Sequence, residues 1–366
     1  MLPLLALGFR PFYLLAGAYA ALSVPLWALQ YFGLLPPVQP LWHAHEMIFG
    51  YAFAVIAGFL LTAVRAWTGR ETPTGAPLAA LAAVWVAARV VAPFSLMASS
   101  IVDLLFAIGV AWGIGRPIVA SRNRNWFFIL IVLAIGAASV LFAASPRAGL
   151  QVGLDMVLLV IAIMAGRVVP GFTNNAVPGA GARRVQSLEF AALGSVVAIL
   201  LLDLFQLRQA AAMLALLAAA LHAIRLWLWA PLATRGRPIL WILHLSYAWI
   251  VVHLAMRGLG EWVLVPPVLA THALTVGAIG GITLGMMTRT ARGHTGRVLI
   301  VGTAEVWAYG LVQAAAVVRV LLPLAWPSAY MACVAVSAVL WALAFAVFTG
   351  AYFPVLSQPR VDGKPG

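Results

Sequence analysis

Apolar runs of about 20 residues recur along the whole chain, long enough for an α-helix to cross a bilayer. Short breaks at Pro, Gly or Arg separate them. The pattern predicts about twelve spans, at 11–32, 43–64, 78–97, 98–115, 125–144, 148–166, 188–206, 209–228, 239–257, 264–288, 298–321 and 328–350. Two divisions rest on single breaks, Pro93 within 78–115 and Ser145-Pro146-Arg147 within 125–166. Losing one would give eleven spans and move the C-terminus across the membrane. The expected fold is all-α and polytopic, one transmembrane helical bundle over residues 1–366. The longest loop, about 167–187, is too short for a soluble domain.

Composition agrees with the pattern: 64% of residues are hydrophobic and 8% charged. The charge carries further information. With the N-terminus inside, 17 of the 22 Lys and Arg fall on the cytoplasmic side and five (Arg89, Arg147, Arg208, Arg257, Arg319) on the other. That asymmetry predicts an N-in, C-in topology. The net charge of +13 therefore reports orientation. The arginines sit singly or in pairs at helix ends, which argues against nucleic acid as a partner. Arg10-Pro11 opens a span without a cleavage pattern, so no cleavable leader is expected. The lone cysteine, Cys333, lies in the last span, which excludes disulfides and thiolate metal sites.

An ionisable residue inside a span costs about 2.5–3.5 kcal/mol and needs a reason. Toward the outer face the spans place His43, His45, Glu46, Asp103, Asp155, Asp203, His253 and His272; His222, His244 and Glu305 lie nearer the inner face. Asp103 and Asp203 read as helix caps, and His253 as interfacial. "WHAHEMIFGYAFAVIAGFLLTAV" at 42–64 puts two imidazoles and a carboxylate at the head of a span. His43 and His45 are about 200° apart on a regular helix, so they share a metal only if the opening turn is not helical. His43 and Glu46 share a face with Gly50, Ala54 and Ala57, which directs Glu46 into the bundle as a ligand or proton carrier. On the ninth span His244 and His253 face opposite ways. His244, beside Tyr247 and Ala248, is expected inward, with a pairing to His222 open. In "HALTVGAIGGITLGMMTRTARGHTGR" at 272–297, Gly277, Gly280, Gly281 and Gly285 leave room for a neighbouring helix or a flat macrocycle. Arg289, Arg292, His294 and Arg297 follow at the exit, the histidine in a cytoplasmic loop.

These strings, with "FRPFYLLAG" at 9–17, "GRVVPGFTNNA" at 166–176 and "ILHLSYAW" at 242–249, resemble the NnrS family of bacterial membrane proteins. The resemblance implies a twelve-span protein of the bacterial inner (cytoplasmic) membrane that contains haem and copper and is linked to denitrification and nitric oxide resistance. His43, His45, Glu46, His244, His272, His294 and the nearby arginines occupy matching positions. Copper is then expected at His43, His45 and His272, with Glu46 as proton carrier. Haem b is expected on His244, or alternatively on His272, with its propionates near Arg289, Arg292, His294 and Arg297; no Cys-x-x-Cys-His is present for covalent attachment. Three functions stay open: an oxidoreductase that reduces nitric oxide with electrons from an unidentified donor, a carrier or metal- or haem-handling protein, and a sensor that binds nitric oxide without turnover.

Overall fold

A computed structural model describes residues 2–364, and no strand occurs among the described residues. Among the described residues, eleven helices are long and apolar enough to cross a membrane: α1 (Phe9–Tyr31), α2 (Trp42–Thr68), α4 (Leu96–Ala120), α5 (Arg124–Ala144), α6 (Pro146–Ala176), α7 (Gln186–Leu204), α8 (Arg208–Leu228), α9 (Pro238–Gly260), α10 (Pro267–His294), α11 (Thr303–Ala325) and α12 (Pro327–Ser357). A shorter apolar helix, α3 (Gly75–Val91), completes the set. The chain is thus an all-α bundle protein with eleven or twelve membrane spans. The break at Pro93 is real: α3 ends before it, and the Ser95 hydroxyl caps α4 by accepting from the Ala98 N–H at 3.2 Å.

The largest departure from the expected boundaries is α6. It runs ten residues past the predicted end at 166 and continues through Pro170 to Ala176. A proline removes one donor, and a packed membrane helix can absorb that loss. The loop that remains is short and pinned, because the Asn174 amide both donates to the Ala182 carbonyl (2.8 Å) and accepts from its N–H (2.9 Å).

By packing, the helices group into two compact units. The first comprises Met1–Val157, Met287–Leu299 and Phe345–Gly366; the second comprises Leu158–Met286 and Ile300–Ala344. In the first unit α1 lies close on α2, with Gly58 in the seam. A Cβ there would stand 2.9 Å from the Phe12 Cβ. Small residues allow such approach where lipid gives no hydrophobic drive between helices. In the second unit α9 packs against α8 and α10. The glycines of α10 face side chains: Gly277 meets Trp249, Gly280 meets Trp341, Gly281 meets Ser246 and Gly285 meets Ile242. The room they leave is filled by the side chains of neighbouring helices.

Two of the expected site segments share a local peculiarity. α2 begins as an α-helical turn, Trp42–His45, and then widens to a π-helix over Glu46–Ala52. α10 does the same, with Pro267–His272 followed by a π-helix over Ala273–Gly280. Such segments displace the side-chain register and concentrate at functional sites.

Candidate functional site

The chain enters α2 through Leu41, whose left-handed backbone (φ 62°) turns it sharply into Trp42. The opening turn is therefore helical, and the two histidines point apart as the arithmetic requires. His43 is half-buried and stacks on Trp27 of α1, ring centroids 4.2 Å apart. His45 is fully buried and reaches Ser100 of α4 and Ser139 of α5, each 3.0 Å from its Nε2. The pair thus faces different neighbours. Glu46 joins His45 and not His43: its Oε1 lies 2.7 Å from the His45 Nδ1.

Around these two residues the first unit assembles a buried polar network. The Tyr19 hydroxyl of α1 donates to Glu46 Oε2, and Arg89 of α3 lies 3.2 Å from the same oxygen. Arg89 also forms an ion pair with Asp103, which accepts from the Ser139 hydroxyl at 3.1 Å and lies 3.6 Å from the His45 Nε2. Asp103 is therefore the counter-ion of a buried guanidinium and caps no helix. The Trp85 indole donates to the Gly50 carbonyl (3.0 Å) inside the π-helical stretch and carries Arg89 over its ring. Gly50 itself lies against Arg89 and Tyr19, so a Cβ there would displace both.

Charge balance gives this network a chemical property. Two carboxylates, Glu46 and Asp103, face one guanidinium, and the side chains of both acids and of His45 are completely buried. With both acids ionised the pair of carboxylates outnumbers the guanidinium, in a medium that penalises uncompensated charge heavily. Tyr19 is only half-buried and links Glu46 toward less enclosed surroundings.

The second unit contains the remaining membrane histidines, and their hydrogen bonds fix their tautomers. His253 is buried, not interfacial. Its Nδ1 donates to the Ala270 carbonyl at 2.8 Å, so Nε2 is left as a lone pair, buried and unpartnered among the described residues. His272 donates from Nδ1 to the Val268 carbonyl one turn back (2.7 Å), and its ring is half-buried. His244 lies 2.9 Å from the Thr173 hydroxyl through Nε2, while that hydroxyl donates to the Val169 carbonyl. Nε2 must then be the donor, and the His244 Nδ1 is a second buried lone pair without a partner. His222 is different. It accepts from Tyr247 at Nδ1 (2.6 Å) and donates to the Ala192 carbonyl from Nε2 (3.2 Å), so it makes no pair with His244. Tyr247 in turn accepts from Arg225 (2.6 Å), which grips Glu189 with two bonds of 2.7 Å.

The exit arginines belong to the first unit. Arg292 donates to the Val298 carbonyl (2.9 Å), and His294 ends α10 within 5.7 Å of the Phe9 ring instead of sitting in a free loop. The C-terminal tail closes over this end: Arg360 donates to the His294 carbonyl and Val361 to the Thr295 carbonyl. Arg289 and Arg297 are half-buried nearby in sequence. In the tail the Arg360 hydrogen bonds hold the Asp362 carboxyl well below the usual carboxylate range.

Several members of these networks carried weak sequence signals. Arg89 and Arg225 stand inside apolar runs, but a charge tally absorbs them as flanking residues. Asp203 at the end of α7 pairs with Arg257 of α9, with the whole of α8 between them in the chain, which no spacing reveals. Tyr19, Ser100 and Ser139 have no signal beyond being polar in a span. Among the described residues, no group of three or more His, Cys, Asp or Glu is placed to hold a metal ion.

A comparison with curated proteins finds no match. A family model does match: that of the NnrS protein covers residues 3–360, nearly the whole chain, and the protein belongs to the NnrS family.

Proposed function

We propose that this NnrS-family membrane protein binds a b-type haem through the second unit and handles nitric oxide there, most simply by reducing it. The observation that carries the reading is the pair of buried, unpartnered imidazole nitrogens on α9, Nδ1 of His244 and Nε2 of His253. Leaving a buried polar atom unsatisfied costs about 1–3 kcal/mol. Each ring is also oriented by a hydrogen bond through its other nitrogen, the arrangement that prepares a histidine to ligate. Haem held by such a ligand supplies nitric oxide binding and one-electron chemistry. His272 is likewise oriented through its Nδ1 by a carbonyl, but it is only half-buried.

A three-histidine copper site fits the packing less well. His43 and His45 face apart, and both His45 nitrogens are already hydrogen-bonded. Copper in the family's sense would need the head of α2 to rearrange. What the chain's own residues offer there is a hydrogen-bonded chain of polar groups. Converting two nitric oxide molecules to nitrous oxide and water consumes two electrons and two protons, and Tyr19, Glu46 and His45 form a connected path along which protons can be relayed. The electrons would come from a donor in or beside the membrane. The inner membrane, N-in and C-in, is the supported location. Arg10, Arg89, Arg225 and Arg319 are buried and tied into the protein. Removing these two from each side leaves 15 basic residues against three, and the asymmetry survives.

The test is the visible spectrum of the purified, reduced protein. Since the two rings face opposite sides of α9 and cannot share one haem, one of His244→Ala and His253→Ala should abolish or shift the Soret band, whereas His222→Ala should leave it in place. Wild-type spectra in both α9 variants would refute the ligand assignment, and a protein purified without haem would favour the carrier reading.

A further inference from the structure

The loop after α2, the start of α3 and the end of α4 enclose a cavity of about 490 Å³. Ligand pockets fall at about 300–1,000 Å³. The cavity lies wholly within the first unit, where α2 has ended at Thr68, α3 begins at Gly75 and α4 runs out at Ala120. It therefore sits at the ends of three spans, where apolar sequence gives way to polar.

Its charge is one-sided. Arg70 and Arg116 line it, and neither guanidinium has a carboxylate partner among the described residues. Glu71 lines it too, but is neutralised by Arg65 at 3.0 Å. Arg116 is held over the Trp112 ring, 5.2 Å from its centroid, so its position is defined. Thr74 precedes α3 without capping it, which leaves first-turn N–H groups beside the cavity as additional donors. Two guanidiniums lining one recess match an oxyanion, above all a phosphate.

The approach to the cavity indicates what carries the phosphate. Ile101, Leu105, Ile108, Trp112 and Val119 of α4 are all exposed and fall at intervals of three, four or seven residues, so they form one apolar stripe ending at the cavity mouth. A free phosphate would use the arginines and leave the stripe bare. A phospholipid would use both.

We propose that this cavity binds the headgroup phosphate of an anionic phospholipid, with Arg70 and Arg116 as its ligands and the acyl chains lying along the α4 stripe. Basic recesses between membrane helices are suited to such headgroups. The experiment is binding of fluorescent phosphatidylglycerol to the detergent-purified full chain, with fluorescent phosphatidylcholine in parallel. Arg70→Ala/Arg116→Ala should weaken phosphatidylglycerol about 10–30-fold, from roughly 1 kcal/mol per arginine. Phosphatidylcholine binding should not change. Arg124→Ala/Arg235→Ala, two exposed arginines outside the cavity, should have little effect, and millimolar inorganic phosphate should not displace the lipid. The proposal is overturned if the cavity variant binds phosphatidylglycerol as the unmodified protein does, or if the two double variants weaken it equally. Displacement of the lipid by inorganic phosphate would overturn the lipid as ligand and leave a phosphate site.

Discussion

Replacing Arg89 by Leu tests whether the head of α2 is an electrostatic unit or a set of incidental contacts. Arg89 is the guanidinium shared by Glu46 and Asp103, and its side chain is 5% exposed. Without it, two buried carboxylates are left with only His45 to offset them. Breaking a buried ion pair by removing one partner costs about 3–5 kcal/mol, because the remaining charge cannot return to water. For a unit of about 200 residues, where 1 kcal/mol shifts the midpoint by about 2–4 °C, the variant should melt about 6–20 °C lower. Removing one stranded charge as well, in Arg89→Leu/Asp103→Leu, leaves Glu46 with its His45 hydrogen bond and no second uncompensated carboxylate. The double variant should therefore recover part of the loss, and the cycle should give a coupling of at least 1 kcal/mol in favour of the native pair. The assay is thermal unfolding of the detergent-solubilised protein followed by intrinsic fluorescence, with all variants in one detergent at one pH. If Arg89→Leu melts within 2–3 °C of the unmodified protein, or if the double variant is simply additive, the network is not an electrostatic unit.

Two further outcomes follow from the geometry. Gly166→Ala would place a methyl group against the Arg225 guanidinium and the Glu189 carboxylate, so it should destabilise the second unit by about 1–3 kcal/mol; unchanged unfolding would mean that this ion pair has slack. A reporter fused after Lys364 should be active only when it is of the cytoplasmic type, and activity of a periplasmic reporter there would reverse the orientation drawn from the arginines.

The architecture was open to reading from the sequence because a membrane span is a length requirement on apolar residues, and length survives ignorance of packing. Breaks defined by proline behaved less regularly. Pro93 does separate two helices, whereas Pro170 lies inside α6 and Pro117 inside α4. A proline removes one backbone donor wherever it stands; whether the helix then ends depends on the turn beside it. Near Pro93 the chain offers Ser95 as a ready cap for the next helix. Beyond Pro170 it offers Thr173 and Asn174, whose side chains bond backbone carbonyls and keep the turn closed. These are tertiary and local hydrogen-bonding decisions that apolar periodicity does not record.

The site was legible only as a set of residue types. Sequence spacing correctly separated His43 from His45 and His244 from His253, since both separations are helical arithmetic. It placed Glu46 on the His43 face, and there the π-helix beginning at Glu46 intervenes, because the arithmetic assumes 3.6 residues per turn. Partners were harder still. Nothing in the sequence states that the carboxylate for Arg89 is Asp103, or that the hydroxyls meeting His45 come from two different helices. Yet those partners decide the chemistry. His45 was one of three histidines expected to ligate copper, and both its nitrogens are occupied; His253, expected at the membrane edge, keeps a buried nitrogen open. The lone pair that matters is the one the fold leaves without a donor, and that can be found only by following every hydrogen bond around it.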